Sequence, residues 1–190
     1  LYSLKENDKI LIPRNSHISS YYGLYLSDAN PIYIYPKNND IGISEEEYIS
    51  ALNKNKDIKA VFITYPSYFG YSIDIKSLCR RIKEINREII IIVDEAHGAH
   101  FSFSKEYPAS ALTAQSDIVI TSMHKTLSGL TQTSLLHINS DIIDIQRLKL
   151  FFKMTTSTSP SFLFLQSVEE AVSFAEEKGE SILSQIKEWY

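Results

Sequence analysis

The sequence is poor in cysteine, with one in 190 residues. That lone thiol, Cys79, excludes an internal disulfide framework and fits a reducing compartment, which points to the cytoplasm. No apolar run approaches the length of a membrane span, and no basic-then-apolar start reads as a signal peptide. An excess of positive charge is lacking too. The 19 Lys and Arg are outnumbered by 23 Asp and Glu, for a formal net charge of −4, which argues against a nucleic-acid-binding surface. There is no internal repeat, no low-complexity segment and no Gly/Pro-rich linker to divide the chain.

What is present is a hydrophobic content of 44%, enough to bury one substantial core, and therefore one domain. Periodicity gives an alternating series of elements. "DKILIPR" reads as a strand, "SHISSYYGLYLSD" as a helix, and "NPIYIYP" as a strand fenced by prolines. In "SEEEYISALNK", Ser44 followed three residues later by Glu47 is a capping-box signature. "IKAVFITYP" is a third strand. "DIKSLCRRIKEINRE" places Ile75, Leu78, Cys79, Ile82 and Ile85 on one helical face, with Asp74 as N-cap. "IIIIVDE" is a β-branched run suited to a strand covered on both faces. "SDIVITS" and "TSLLHIN" are further strands, followed by helical "DIIDIQRLKLFF" and "SFLFLQSVEEAVSFAEEK". Strand–helix alternation with short connections predicts an α/β fold, a mostly parallel sheet flanked by helices in three layers. The chain opens on Leu1 in what reads as a helix running into a strand, and closes inside an amphipathic pattern. It is expected to be truncated at both ends.

In such folds ligands gather at the carboxyl ends of the strands. There "IIIIVDE" ends in Asp94, and Lys125 follows 31 residues later in "TSMHKT", just after the next strand. Three chemistries use these residues. Asp94 as a cap and Lys125 as a solvated cation need no ligand. A metal site would draw on His97 and His100 beside Asp94 and Glu95, with His17 and His124 elsewhere. Their H-x-x-H spacing follows a Gly-containing turn, not a clear helix, so it does not make them converge, and no metal is assigned. Pyridoxal 5'-phosphate, finally, needs a lysine for covalent attachment and a carboxylate facing its ring nitrogen. It also needs phosphate donors such as Thr121, Ser122 and His124.

The motifs "VDEAHGAHF" and "DIVITSMHKTLSGLTQTSLLH" together resemble the Orn/Lys/Arg decarboxylase family, fold-type-I enzymes that use pyridoxal phosphate. "IPRNSHISSYYGLYLSDANPIYI" is similar to that family's R-N-x-H-K-S segment, and "ITYPSYFGYSIDI" to its T-x-P-T-Y-x-G block. The resemblance implies that Lys125 is the attachment lysine and Asp94 the ring-nitrogen carboxylate. Ala96 would pack against one ring face, and His17 would stack on the other or else cap a helix. His97 would donate to the cofactor's phenolic oxygen or else steady its turn. Ser122 and His124 would contact the phosphate, while His100 and His137 receive no role. Two positions depart from the family pattern: Ile18 replaces the lysine of H-K-S, and Met123 replaces the threonine of S-T-H-K.

The resemblance further implies that residues 1–190 are a partial cofactor-binding large domain. The family's N-terminal phosphate loop and C-terminal small domain lie outside them. The implied function is decarboxylation of arginine, lysine or ornithine to an amine and CO2, in a homodimer or higher homo-oligomer. Alternatives are another fold-type-I activity, such as an aminotransferase or lyase, and a non-catalytic remnant acting in dimerisation. Glu95 is expected to face away from the ring if Asp94 faces it, because strand neighbours alternate.

Overall fold

The computed structural model describes residues 4–37 and 41–188. Six strands form one sheet: β1 (Lys9–Pro13), β2 (Asn30–Ile34), β3 (Ile58–Thr64), β4 (Ile90–Asp94), β5 (Ile118–Ser122) and β6 (Ser134–Ile138). Their spatial order is β2-β1-β3-β4-β5-β6. The first five are parallel, and β6 closes one edge antiparallel to β5. The helices are α1 (Ile18–Ser27), α2 (Glu45–Lys54), α3 (Ile75–Ile85), α4 (Ile145–Thr155) and α5 (Phe162–Glu188).

Strict alternation along each strand sends side chains to two separate cores. Leu11, Val61, Ile63, Ile91, Val93 and Val119 pack with Tyr48, Ile49 and Leu52 of α2 and with Ile75, Leu78, Cys79 and Ile82 of α3. Their strand neighbours Ile10, Ile12, Ala60, Phe62, Ile92 and Ile118 pack with Leu24 of α1 and, at its edge, Leu148 of α4. Helices therefore cover both faces, giving the three layers expected from the uninterrupted isoleucine run of β4. Cys79 is fully buried, and burial pushes its thiol pKa up to about 12. It serves as a core residue and not as a nucleophile.

The caps fall where the sequence places them. Ser44 Oγ accepts from the Glu47 amide while the Glu47 carboxylate accepts from the Ser44 amide, a complete capping box for α2. Asp74 accepts from the Ser77 amide at 3.0 Å and starts α3. Arg81 of α3 reaches back to Glu45 and Glu46 of α2, tying the two helices together. Two segments differ from the expectation. Residues 4–8 form a turn and not a helix, with Leu4 buried in the core. α4 begins only at Ile145, because Asp144 caps it by accepting from the Arg147 amide. α5 runs on to Glu188 through the amphipathic pattern in which the sequence closes.

Chain direction decides where the site lies. From β1 the chain passes over α1 to β2 on one side, then crosses by α2 to β3 on the other. This reversal creates a topological switch point, and the crevice lies outside the carboxyl ends of the strands there.

Candidate active site

The sheet register aligns the rim. Thr64, the last residue of β3, is paired with Asp94, the last of β4. Ser122, the last of β5, is paired with Ser134, the first of β6. At the switch point Ser16 Oγ and Thr64 Oγ1 lie 3.2 Å apart, joining the loop after β1 to the end of β3. Backbone bonds carry the alignment past the strand ends. The Tyr65 amide donates to the Asp94 carbonyl at 2.9 Å, and the Glu95 amide to the Ile120 carbonyl at 2.8 Å.

Asp94 is half-buried and its Oδ1 accepts from the Ala96 amide at 3.1 Å, which turns the chain out of the sheet. Ala96, 9% exposed, is the small residue at the start of this turn. The turn delivers His97 to the rim, where its Nε2 lies 3.5 Å from Nζ of the exposed Lys125. Burial is the main cause holding the His97 pKa below the ordinary imidazole value, and the Lys125 charge adds to it. Asp94 acts in the opposite direction, and His17 lowers the value further. His97 is thus in electrostatic reach of Lys125, Asp94 and His17 together, although these come from three separate connections. It stays neutral at physiological pH.

Lys125 is positioned by the residues that precede it. The Met123 side chain is buried, and the Met123 amide donates to the Thr133 carbonyl at 3.1 Å. His124 Nδ1 lies 2.9 Å from the same carbonyl, so this ring nitrogen carries the proton and donates. Ser122 is 8% exposed at the end of β5. The turn between β5 and β6 therefore consumes one donor of His124 and buries Ser122, leaving Lys125 projecting from it. His17 caps α1, its Nδ1 accepting from the Ser19 amide. Capping and proximity to the rim coexist, because α1 starts directly beyond the carboxyl end of β1.

Sequence reasoning brought together Asp94, His97 and Lys125, and the fold does the same. It missed Tyr68, whose ring meets His97 edge-on at 5.9 Å. Tyr68 belongs to the "YPSYFG" loop after β3, where no periodicity marks it, though it is the tyrosine of the T-x-P-T-Y-x-G resemblance. His100 turns away from the rim into an aromatic group with Phe101 and Tyr107, at centroid distances of 4.7 and 5.0 Å. His97 and His100 therefore diverge. His137 bonds Thr121 Oγ1 at 3.0 Å across the β5–β6 pair. Glu95 faces away from the crevice, as strand alternation requires.

The donor set fits pyridoxal phosphate. An exposed amine, a rim carboxylate and a neutral imidazole lie along the carboxyl ends of the strands. Thr126 Oγ1, immediately after Lys125, is buried without a protein partner, and buried hydroxyls are seldom left so. A group with acceptor oxygens beside this turn would satisfy it.

A family model described as Orn/Lys/Arg decarboxylase, major domain, matches residues 1–188. The chain belongs to the Orn/Lys/Arg decarboxylase family. An arginine decarboxylase of Bacillus subtilis (strain 168) is 38% identical over 169 residues, covering 86% of this chain and 34% of that protein. The chain thus spans about a third of the length of the relatives it matches. Among solved structures, the Francisella novicida lysine decarboxylase LdcF aligns over 91% of this chain and 26% of its own, at 27% identity and a TM-score of 0.72. A PLP-bound putative aminotransferase from Clostridium difficile 630 aligns over 98% of this chain and 50% of its own, at a TM-score of 0.74. At 19% identity that likeness concerns the fold alone.

Proposed function

We propose that this chain is the cofactor-binding large domain of a pyridoxal-phosphate-dependent decarboxylase, which converts a basic amino acid to the corresponding amine and CO2. The observation that carries the reading is the approach of the Lys125 amine to His97 at 3.5 Å, on the turn that Asp94 starts at the carboxyl rim. When bound, pyridoxal phosphate supplies an electron sink for the carbanion left by departing CO2.

The chain's own residues supply the rest. Lys125 would be the covalent attachment point, and its freed amine would carry a proton near the substrate Cα. Asp94 would hold the proton on the ring nitrogen by charge pairing. Neutral His97 would accept from Lys125 or donate to a ring oxygen. Ala96 and His17 would pack against the ring, and Ser122, His124 and Thr126 would hold the phosphate. The named relatives make arginine the first substrate to test, with lysine and ornithine beside it. The partners are further copies of the same chain, and exposed apolar residues such as Phe152, Phe162 and Leu163 supply surface for them. The compartment is the cytoplasm.

The test is incubation with pyridoxal phosphate, borohydride reduction and peptide mapping. A fixed adduct on Lys125, abolished in Lys125→Ala, is expected, and in the full-length protein the same substitution should abolish amine production. Adducts scattered over surface lysines would overturn the assignment.

A further inference from the structure

Glu95 has no exposed surface at all, yet it is an acid one residue from the rim. Its carboxylate accepts from Ser110 Oγ at 3.0 Å and from the Ala111 amide at 3.2 Å. Its backbone is fixed as well. The amide donates to the Ile120 carbonyl of β5 and the carbonyl accepts from the Gly98 amide at 3.0 Å. The partners are themselves locked. Ser110 Oγ also accepts from the Leu112 amide at 3.2 Å, and Ser116 Oγ donates to the Ala111 carbonyl at 2.7 Å. A Cβ at position 98 would stand 2.7 Å from Glu95 Cγ, so glycine there is imposed by the Glu95 side chain. Glu95 thus bolts the turn that carries Asp94 and His97 to the loop that feeds β5, the strand that ends at Ser122 and leads to Lys125.

We propose that Glu95 is a positioning residue, which through Ser110 and Ala111 fixes the turn that aims Asp94 and His97 at Lys125. This rests on the reading of Lys125 and Asp94 given above. Burial, outweighing the two hydrogen bonds, raises the Glu95 pKa to about 7. The groups that perturb it are Ser110 and Ala111, neither of them a cation. Around it, Tyr65, directly after β3, is the phenol whose pKa the Glu95 charge pushes further up. Asp94 lies on the opposite face of the strand, and His97 and His100 lie on the same turn. The charged form accepts both donors fully, whereas the neutral acid must turn one oxygen into a donor. The hold on the turn therefore changes near neutral pH.

The experiment compares wild type, Glu95→Gln, Glu95→Ala and Ser110→Ala in two ways. Without cofactor, NMR follows the His97 ring and the Ala111 amide from pH 5 to 9. With cofactor, absorbance is recorded on the same proteins, and the pH profile of kcat on the full-length decarboxylase carrying the same substitutions. In wild type the Ala111 amide should respond with a midpoint near 7, and His97 should titrate below the ordinary imidazole range. Glu95→Gln keeps an acceptor for Ala111 and a donor for Ser110. His97 should stay where it was while the Ala111 response disappears. Glu95→Ala and Ser110→Ala should let His97 drift back toward the ordinary value, lower kcat roughly tenfold with KM within twofold, and move the pH at which the cofactor band titrates. Should Glu95→Ala fail to fold, Ser110→Ala and Glu95→Gln decide. The same His97 titration in Ser110→Ala as in wild type would overturn the proposal. Absence of cofactor on Lys125 in wild type would instead sink the functional reading, and the cofactor-free titration would still show whether Glu95 holds the turn.

Discussion

The buried ion pair between Lys83 and Asp117 gives the most direct test of how this fold anchors β5 in the sheet. Asp117, 2% exposed, immediately precedes β5, and its Oδ2 accepts from Lys83 Nζ at 2.7 Å and from the Ile91 amide at 2.7 Å. Lys83 also donates to the Ile89 carbonyl at 2.9 Å. One carboxylate oxygen therefore joins α3, β4 and β5 at the amino end of the sheet, opposite the candidate site. Asp117→Ala strands a nearly buried ammonium and an amide donor together, and should cost about 3–5 kcal/mol, the range for breaking a buried pair from one side. Asp117→Asn retains an acceptor for Ile91, and Lys83 keeps the Ile89 carbonyl, so its cost should be smaller, about 1–3 kcal/mol. Lys83→Met in the Asp117→Asn background removes the uncompensated charge and should recover part of that loss, so the two substitutions should couple by at least about 1 kcal/mol. Urea unfolding followed by circular dichroism measures all three. A cost under about 1 kcal/mol for Asp117→Ala, with no coupling to Lys83, would refute the claim that this pair anchors β5.

Three further outcomes are expected. The Glu95 carboxyl has its pKa raised to about 7 in the folded protein, so its neutral form favours folding. That contribution is complete below the ordinary glutamate pKa and is lost as pH rises to about 7. It amounts to about 3 kcal/mol, and Glu95→Gln should flatten the fall in urea stability between pH 4.5 and 7. Gly98→Ala places a methyl 2.7 Å from Glu95 Cγ and 3.0 Å from the Phe101 ring. It should lower stability by about 1–3 kcal/mol, read from the urea midpoint. His100 Nδ1 is buried without a partner, so His100→Phe should hold or raise the thermal midpoint, with a gain of up to about 1 kcal/mol.

Local chemistry wrote much of this protein into its sequence. The Ser44–Glu47 capping box, the Asp74 cap, the apolar stripe through Ile75, Leu78, Cys79 and Ile82, and the β-branched run ending at Asp94 each depend on residues a few positions apart. Such signals survive into the folded state because they are satisfied locally. The sequence also placed Asp94 and Lys125 at successive strand ends, and hence on one rim. Where local signals were weak, the boundaries moved, as at the turn over residues 4–8 and the late start of α4 at Asp144. Only the tertiary structure decided that β6 runs antiparallel and returns Thr133 to the Lys125 turn. It alone brought His97 to Lys125 while sending His100 into an aromatic cluster, and set Tyr68 against His97. It also joined Glu95 to Ser110 and Lys83 to Asp117. Those contacts depend on strand register and on how two loops cross above the sheet. That geometry is set by packing of the whole core, and no spacing within a single segment encodes it.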